Sequence, residues 1–366
     1  MNETIHSEQP CELACPPDGC AVHTAGAPIV LAEALARFNR EAKRAVCNTG
    51  RYRMPYFVWG QGPPLVFVHG VGDANLSFIQ PIARLSANFR CIAYDLPGSP
   101  GDRSALRRVT HDDLVDDLWA LLDHLGVERT YVLGSSFGST IVLKALRERP
   151  TVLPRAVLQG GFAYRPLRRT EAVLAWLGRF LPGTASWLPV RERILHKVNK
   201  RQFARRTPDV WTNFLAVSGR TRVARMARQA RMLNGLDLRP LLPEVRQPVL
   251  LLSGDRDRVV PRVCQEVLMA GLPNAGRVVI EDCGHFPSYT HPEVFAEVVR
   301  QFLTPPAGSA KVQDSFSGGS ENREPPSGSA LRLNCLGGGV PASLAFRPSA
   351  APGHVNENFI PKSWCA

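Results

Sequence analysis

From Arg51 onward the chain alternates short apolar runs with stretches in which apolar residues return every three or four positions. The runs are MPYFVW, LVFVHG, FRCIAYD, TYVLG, AVLQGG, QPVLLLSG and RVVIED. They lack the in-out alternation of a strand with one wet face, so each reads as a strand buried on both sides. Between them, Thr110 and Asp113 form a T-x-x-D start to a helix with Leu114, Leu118, Leu121 and Leu122 on its apolar face, which Gly126 ends. Thr140 to Arg149 reads as a second helix, and Thr290-x-x-Glu293 caps a last one through Phe295, Val298, Val299 and Phe302. Ahead of the first strand, residues 29–45 place Leu31, Leu35, Phe38 and Ala42 at helical intervals. Such alternation predicts an α/β fold, a parallel sheet covered by helices on both faces.

The rhythm breaks twice. Residues 164–247 carry helical patterns and no convincing strand, so they read as a helical cap inserted over the carboxyl edge of the sheet. The expected core is therefore split into 28–163 and 248–303. After it, Gly, Pro and Ser supply 25 of the 62 residues from Pro305 to Ala366, and no periodicity survives. The segment 304–366 is expected to be a disordered tail. Residues 1–27 are polar and mixed, and are expected to be a flexible leader.

Composition adds one correction to a first impression. The net charge of +12 suggests nucleic acid until it is located. Residues 164–247 hold 18 Lys and Arg against 5 Asp and Glu, or +13, which leaves −1 for the rest. The basic character belongs to the cap, and no nucleic-acid-binding motif accompanies it. The nine cysteines are odd in number and dispersed, which argues against a disulfide framework. Cys11, Cys15, Cys20 and His23 have ligand chemistry for zinc, but their spacing matches no metal module, and no metal is expected. There is no apolar run of membrane-spanning length and no basic-then-apolar start, so a soluble, cytoplasmic protein is expected.

Gly134-Ser135-Ser136-Phe137-Gly138 is a G-x-S-x-G sequence. It follows the buried run TYVLG and opens a helix, the context in which a sharp strand-to-helix turn presents its central residue. Ser136 is that residue, and Ser135 sits one place off the apex. A serine hydroxyl needs a base to take its proton, and the base needs an orienting group. His285 lies in the loop after the last strand, and Asp257 in the loop after VLLLS, both at the carboxyl edge. Asp255 is expected to turn outward. His69 ends a strand before Gly70-Val71-Gly72 and is expected to shape a loop.

These features resemble those of the α/β-hydrolase superfamily. The matching segments are LVFVHG with its loop, YDLPG, GSSFG, the G-x-x-D-x-x-x-P segment ending at Pro261, and Gly284-His285, in that order over about residues 50–303. The resemblance implies an eight-stranded, mostly parallel sheet, a helical cap after the sixth strand, and a Ser136-His285-Asp257 triad. It also implies an oxyanion hole from the backbone N–H groups of Val71 and Phe137, and no cofactor. Two positions depart from the pattern: Ser139 stands where many relatives have a second glycine, and Pro-Gly-Ser-Pro-Gly follows Asp95. A serine apex excludes the branches with an aspartate nucleophile.

The implied activity is hydrolysis of a carboxylic ester, thioester or lactone. Two other readings stay open. One is a lyase or synthase using the same triad on an anionic substrate, as in the menaquinone-pathway synthase of this fold. The other is a non-enzymatic lipid-surface module built on the basic cap. The partner expected is a small acyl substrate, with Trp176, Trp187 and Trp211 as candidate pocket residues. Peripheral contact with an anionic membrane through the cap is the second partner reading, and the oligomeric state stays open.

Overall fold

The computed structural model describes residues 20–21, 28–98, 109–188, 191–203 and 208–304. Cys11, Cys15, His23 and the tail from 305 lie outside the described residues. The strands are β1 (Cys20–Ala21), β2 (Lys43–Asn48), β3 (Arg53–Trp59), β4 (Pro64–Val68), β5 (Arg90–Tyr94), β6 (Tyr131–Ser135), β7 (Ala156–Gln159), β8 (Val249–Gly254) and β9 (Ala275–Ile280). They form one sheet in the order β1-β9-β8-β7-β6-β4-β5-β3-β2. The β2–β3 and β3–β5 pairs are antiparallel and all others parallel. Eight strands, β2 to β9, make the mostly parallel sheet, and the two-residue β1 adds to its β9 edge.

Why the strand runs look continuous is visible in β4. Leu65 and Phe67 belong to the core on one face, Val66 and Val68 to the core on the other. Helices α3 (His111–His124), α4 (Phe137–Glu148) and α9 (Arg262–Gly271) close the first core, and α1 (Leu31–Glu41), α2 (Ile79–Leu85) and α11 (Pro292–Leu303) close the second. A strand with water on neither side has no polar positions to alternate with.

Between β7 and β8 the chain runs through α5 (Arg169–Gly178), α6 (Arg191–Phe203), α7 (Pro208–Gly219) and α8 (Val223–Met232). A one-turn α10 (Pro287–Thr290) precedes α11. Residue-level expectations fail in three places. The first helix stops at Glu41, and residues 43–48 form β2, an edge strand with only Cys47 buried. Thr290 does not cap α11: its hydroxyl bonds to the Phe286 carbonyl, and the Glu293 carboxylate takes the Ile29 N–H at 2.7 Å, tying the entry of α1 to the last helix. The helix expected from Thr140 begins at Phe137, immediately behind the elbow. Thr110 does cap α3 as expected, exchanging bonds with Asp113.

Candidate active site

β6 lies in the middle of the sheet, and the turn from it into α4 sets Ser136 at φ 51°, ψ −116°. Only Ser136 and Asp282 combine a side chain with positive φ among the described residues. Such a conformation costs about 1–3 kcal/mol and persists only where the surroundings enforce it. Here they do. A Cβ on Gly134 would stand 2.6 Å from the Gly138 carbonyl oxygen, and one on Gly138 would stand 2.2 Å from that of Val68. The turn therefore closes only with glycine at both positions, which accounts for the spacing of the motif. Ser139, the departure from the family pattern, is buried and locks the turn: its hydroxyl donates to the Ser136 carbonyl at 2.5 Å and accepts the Phe162 N–H at 3.3 Å.

Asp257, in the loop after β8, and His285, in the loop after β9, meet directly. His285 Nδ1 and Asp257 Oδ2 are 2.7 Å apart, while Asp257 Oδ1 accepts the Val259 and Val260 N–H groups at 2.8 and 2.9 Å. Burial works against the Asp257 charge, but His285 and these donors outweigh it and hold its carboxyl below the ordinary value. An ionised Asp257 accepts the Nδ1 proton, so Nε2 is the nitrogen left to accept one. His285 is 4% exposed. Asp255 is exposed, as expected, and its carboxylate also takes the Cys283 N–H at 3.0 Å, two residues before His285. It positions that loop.

Gln159, which the sequence reading did not single out, couples the elbow to the histidine. Its carbonyl accepts the Ser136 N–H at 2.8 Å, its side-chain oxygen accepts the Ser135 hydroxyl at 2.5 Å, and its Nε2 donates to the His285 carbonyl at 3.1 Å. The Ser136 hydroxyl makes no hydrogen bond among the described residues. In unliganded sites the nucleophile–base contact is often long and tightens around the substrate. The Val71 and Phe137 N–H groups likewise have no hydrogen-bond partner among the described residues. Gly70, one residue before Val71, abuts Ser136: a Cβ there would be 3.1 Å from Ser136 Cβ. Free backbone donors on either side of a serine can hold an oxyanion, and the start of α4 adds its dipole.

The loop after β4 is pinned from below by His69, which accepts the Leu96 N–H at Nε2 (3.0 Å) and faces the Gly70 carbonyl with Nδ1 at 2.9 Å. Burial depresses its pKa to about 4, so it stays neutral and shapes the loop. Asp73 ends that loop, bonded to Ser77 and 3.5 Å from the Tyr289 hydroxyl, and burial raises its pKa to about 6.

The inserted helices roof this edge. Thr221 donates to the Asp73 carbonyl at 3.2 Å, Gln229 to that of Pro97 at 3.3 Å, and the Gln202 side chain lies against Gly284. Trp211 packs at 5.1 Å from Phe203 and 5.5 Å from Phe214, and Phe214 lies 4.8 Å from Phe286 beside the histidine. Trp176 and Trp187 instead are 49% and 78% exposed. A cavity of about 840 Å³ opens by Trp59 and Arg90, and one of about 530 Å³ by Asn75, Asp95 and Arg220; Ser136 lines neither. Among the described residues no group of three or more His, Cys, Asp or Glu is arranged to hold a metal ion.

The 30 kDa subunit of magnesium chelatase from Rhodobacter capsulatus is 30% identical over 212 residues, 55% of this chain and 72% of that protein. A 2-hydroxy-6-oxononadienedioate/2-hydroxy-6-oxononatrienedioate hydrolase of Pseudomonas putida is 28% identical over 257 residues, 65% of this chain and 87% of that one. Among solved structures, a thermophilic esterase from Thermogutta terrifontis superposes with a TM-score of 0.62 at 24% identity, over 71% of this chain and 98% of its own. The enol-lactonase of Burkholderia xenovorans LB400 does so with 0.61 at 21%, over 71% and 99%. The profile of the alpha/beta hydrolase fold matches residues 63–292, and with the sheet order it shows that the chain belongs to the alpha/beta hydrolase family.

Proposed function

We propose that the chain is a serine hydrolase that cleaves a carboxylic ester, thioester or lactone through an acyl-enzyme on Ser136. The observation that carries this reading is a buried His285 bonded at 2.7 Å to Asp257, at the same sheet edge as a serine held at positive φ. Ser136 Oγ attacks the carbonyl carbon as His285 Nε2 takes its proton. The oxyanion falls to the Val71 and Phe137 N–H groups. His285 then gives the proton to the leaving oxygen or sulfur, the C–O or C–S bond breaks, and the acyl group stays on Ser136. In the second half His285 deprotonates water, whose oxygen attacks the acyl-enzyme, and the proton returns to Ser136 as the acid departs. Asp257 holds the tautomer and the cationic ring throughout.

Relatives named as a 2-hydroxy-6-oxononadienedioate/2-hydroxy-6-oxononatrienedioate hydrolase and a 2-hydroxymuconate semialdehyde hydrolase support hydrolysis as the common chemistry, and an esterase and an enol-lactonase share the fold. The test is labelling by a fluorophosphonate together with turnover of short p-nitrophenyl esters. Both are expected in the native chain and absent in Ser136→Ala, whose thermal unfolding is unchanged. Labelling without turnover of any activated ester would refute ester hydrolysis and point to carbon–carbon cleavage by the same groups. No labelling of the folded protein would end the serine reading.

A further inference from the structure

We propose that the outward face of α5 and the turn behind it dock this protein on an anionic lipid bilayer. Seven of the eleven exposed large apolar side chains among the described residues lie between 173 and 187, so they form a patch and not a scatter. Leu174 is 67% exposed, Phe180 64% and Trp187 78%. The helix is built the reverse of an ordinary amphipathic one. It turns its small residues inward, Ala175 and Gly178, and its large ones, Leu174, Trp176 and Leu177, outward. The inward face is tightly seated: a Cβ on Gly178 would be 3.2 Å from the Ala227 Cβ of α8 and 3.7 Å from Val223 Cγ1. Close backbone approach through small residues fixes α5 to α8 and leaves its bulk to another phase.

Charge selects the phase. Arg168 and Arg169 are exposed at the start of α5, and the Arg179 guanidinium lies 5.2 Å from the Trp176 ring and 4.3 Å from that of Phe180. Aromatic rings with cations among them suit the headgroup level of a membrane, with leucines reaching just below it. The +13 of residues 164–247 is matched by a surface of anionic lipid. A second copy of this chain would bring +13 against +13. The surface stands independently of the reaction, although α8 joins the two: its Met226 sulfur would lie 2.7 Å from a Cβ on Gly72, in the loop beside Ser136. An amphiphile leaving the bilayer at α5 is one helix from the nucleophile.

Flotation of the full chain with vesicles of phosphatidylcholine, alone or mixed with phosphatidylglycerol, tests this. Binding is expected only to the mixed vesicles, weakened by salt, with a blue shift of tryptophan emission as Trp176 and Trp187 leave water. Val173→Ser, Leu174→Ser and Leu177→Ser together should lower the partition coefficient at least ten-fold, with soluble-ester hydrolysis and thermal midpoint unchanged. Ser136→Ala should float like the native chain, so failure of the hydrolase reading leaves this result intact. Three outcomes would overturn the proposal: equal or no binding to the two vesicle types, undiminished binding by the triple variant, or a dimer in light scattering that the triple variant dissociates.

Discussion

Gly160 gives the sharpest handle on the site. It follows β7 with φ +53°, and a Cβ there would stand 2.9 Å from His285 Cε1, 3.0 Å from Nδ1 and 3.5 Å from Asp257 Oδ2. Ordinary contact begins at 3.4 Å, so Gly160→Ala must move the imidazole by about 0.5 Å or break its bond to Asp257. A displacement of 1 Å in a catalytic group can lower the rate about a hundred-fold, so about ten-fold is the expected loss in kcat/KM for a short activated ester. Positive φ adds a separate backbone penalty of about 1–2 kcal/mol for any residue with a Cβ.

That penalty can be measured alone. Gly126, past the end of α3, has φ +60° and nothing within 4 Å of a Cβ. Gly126→Ala therefore carries the same backbone strain without the clash, and should lower the Tm by about 2–4 °C per kcal/mol with activity intact. Thermal unfolding and ester kinetics of the two variants, side by side, separate strain from displacement. Full activity in Gly160→Ala, or an equal loss in Gly126→Ala, would refute the claim that the His285 ring is confined there for catalysis.

Asp257→Asn keeps an oxygen for the Val259 and Val260 N–H groups but turns an amide N–H toward His285 Nδ1, which forces the wrong tautomer; kcat should fall about ten-thousand-fold with little change in stability, measured by single-turnover kinetics and thermal unfolding. Gln159→Met leaves the half-buried Ser135 hydroxyl and the buried His285 carbonyl without this partner, at about 1–3 kcal/mol for the carbonyl, and should lower kcat more than it changes KM; an unaltered kcat would show that Gln159 only supports the fold. Asp73 has a pKa of about 6 in the folded protein, pushed up by burial, against about 3.9 unfolded. The folded state thus holds a proton that the unfolded chain releases, so this carboxyl withdraws stability as pH rises from about 4 to 6, on the order of 2–3 kcal/mol in full. Asp73→Asn lacks that titration, and its urea midpoint relative to the native chain should rise between pH 4 and 7; a constant difference would refute the burial argument.

Much of this architecture was legible because its signals are local. Runs buried on both faces announce themselves without neighbours, and seven of the strands were read that way. β2 was not, because an edge strand with one buried residue, Cys47, has no apolar rhythm to detect. The T-x-x-D before α3 behaved as a cap, whereas the same pattern at Thr290 did not, since a tertiary partner, the Ile29 N–H, claimed Glu293. Exposure was the least legible property. Trp176 and Trp187 look like core or pocket residues in the sequence, yet the packing of α5 through Ala175 and Gly178 turns Trp176 outward, and Trp187 stands exposed in the turn behind it.

Gln159 and Gly160 were hidden for a topological reason. Ser136 follows β6 and His285 follows β9, and the sheet order sets β7 and β8 between them. With strands about 4.8 Å apart, the two carriers are about 14 Å from each other at the level of the sheet. In the proposed triad the histidine must therefore reach back over the ends of two strands toward the Ser136 hydroxyl. Asp257, at the end of β8, meets it on the way and fixes the ring. The end of β7 has to stay low enough for the imidazole to pass, which a side chain at 160 would prevent, and Gln159 just before it ties the returning loop to the elbow. In the sequence these residues are only the last letters of AVLQGG, a strand and its turn. Their part in the site exists once strand order is known, because the gap they serve is a distance across the sheet and not along the chain.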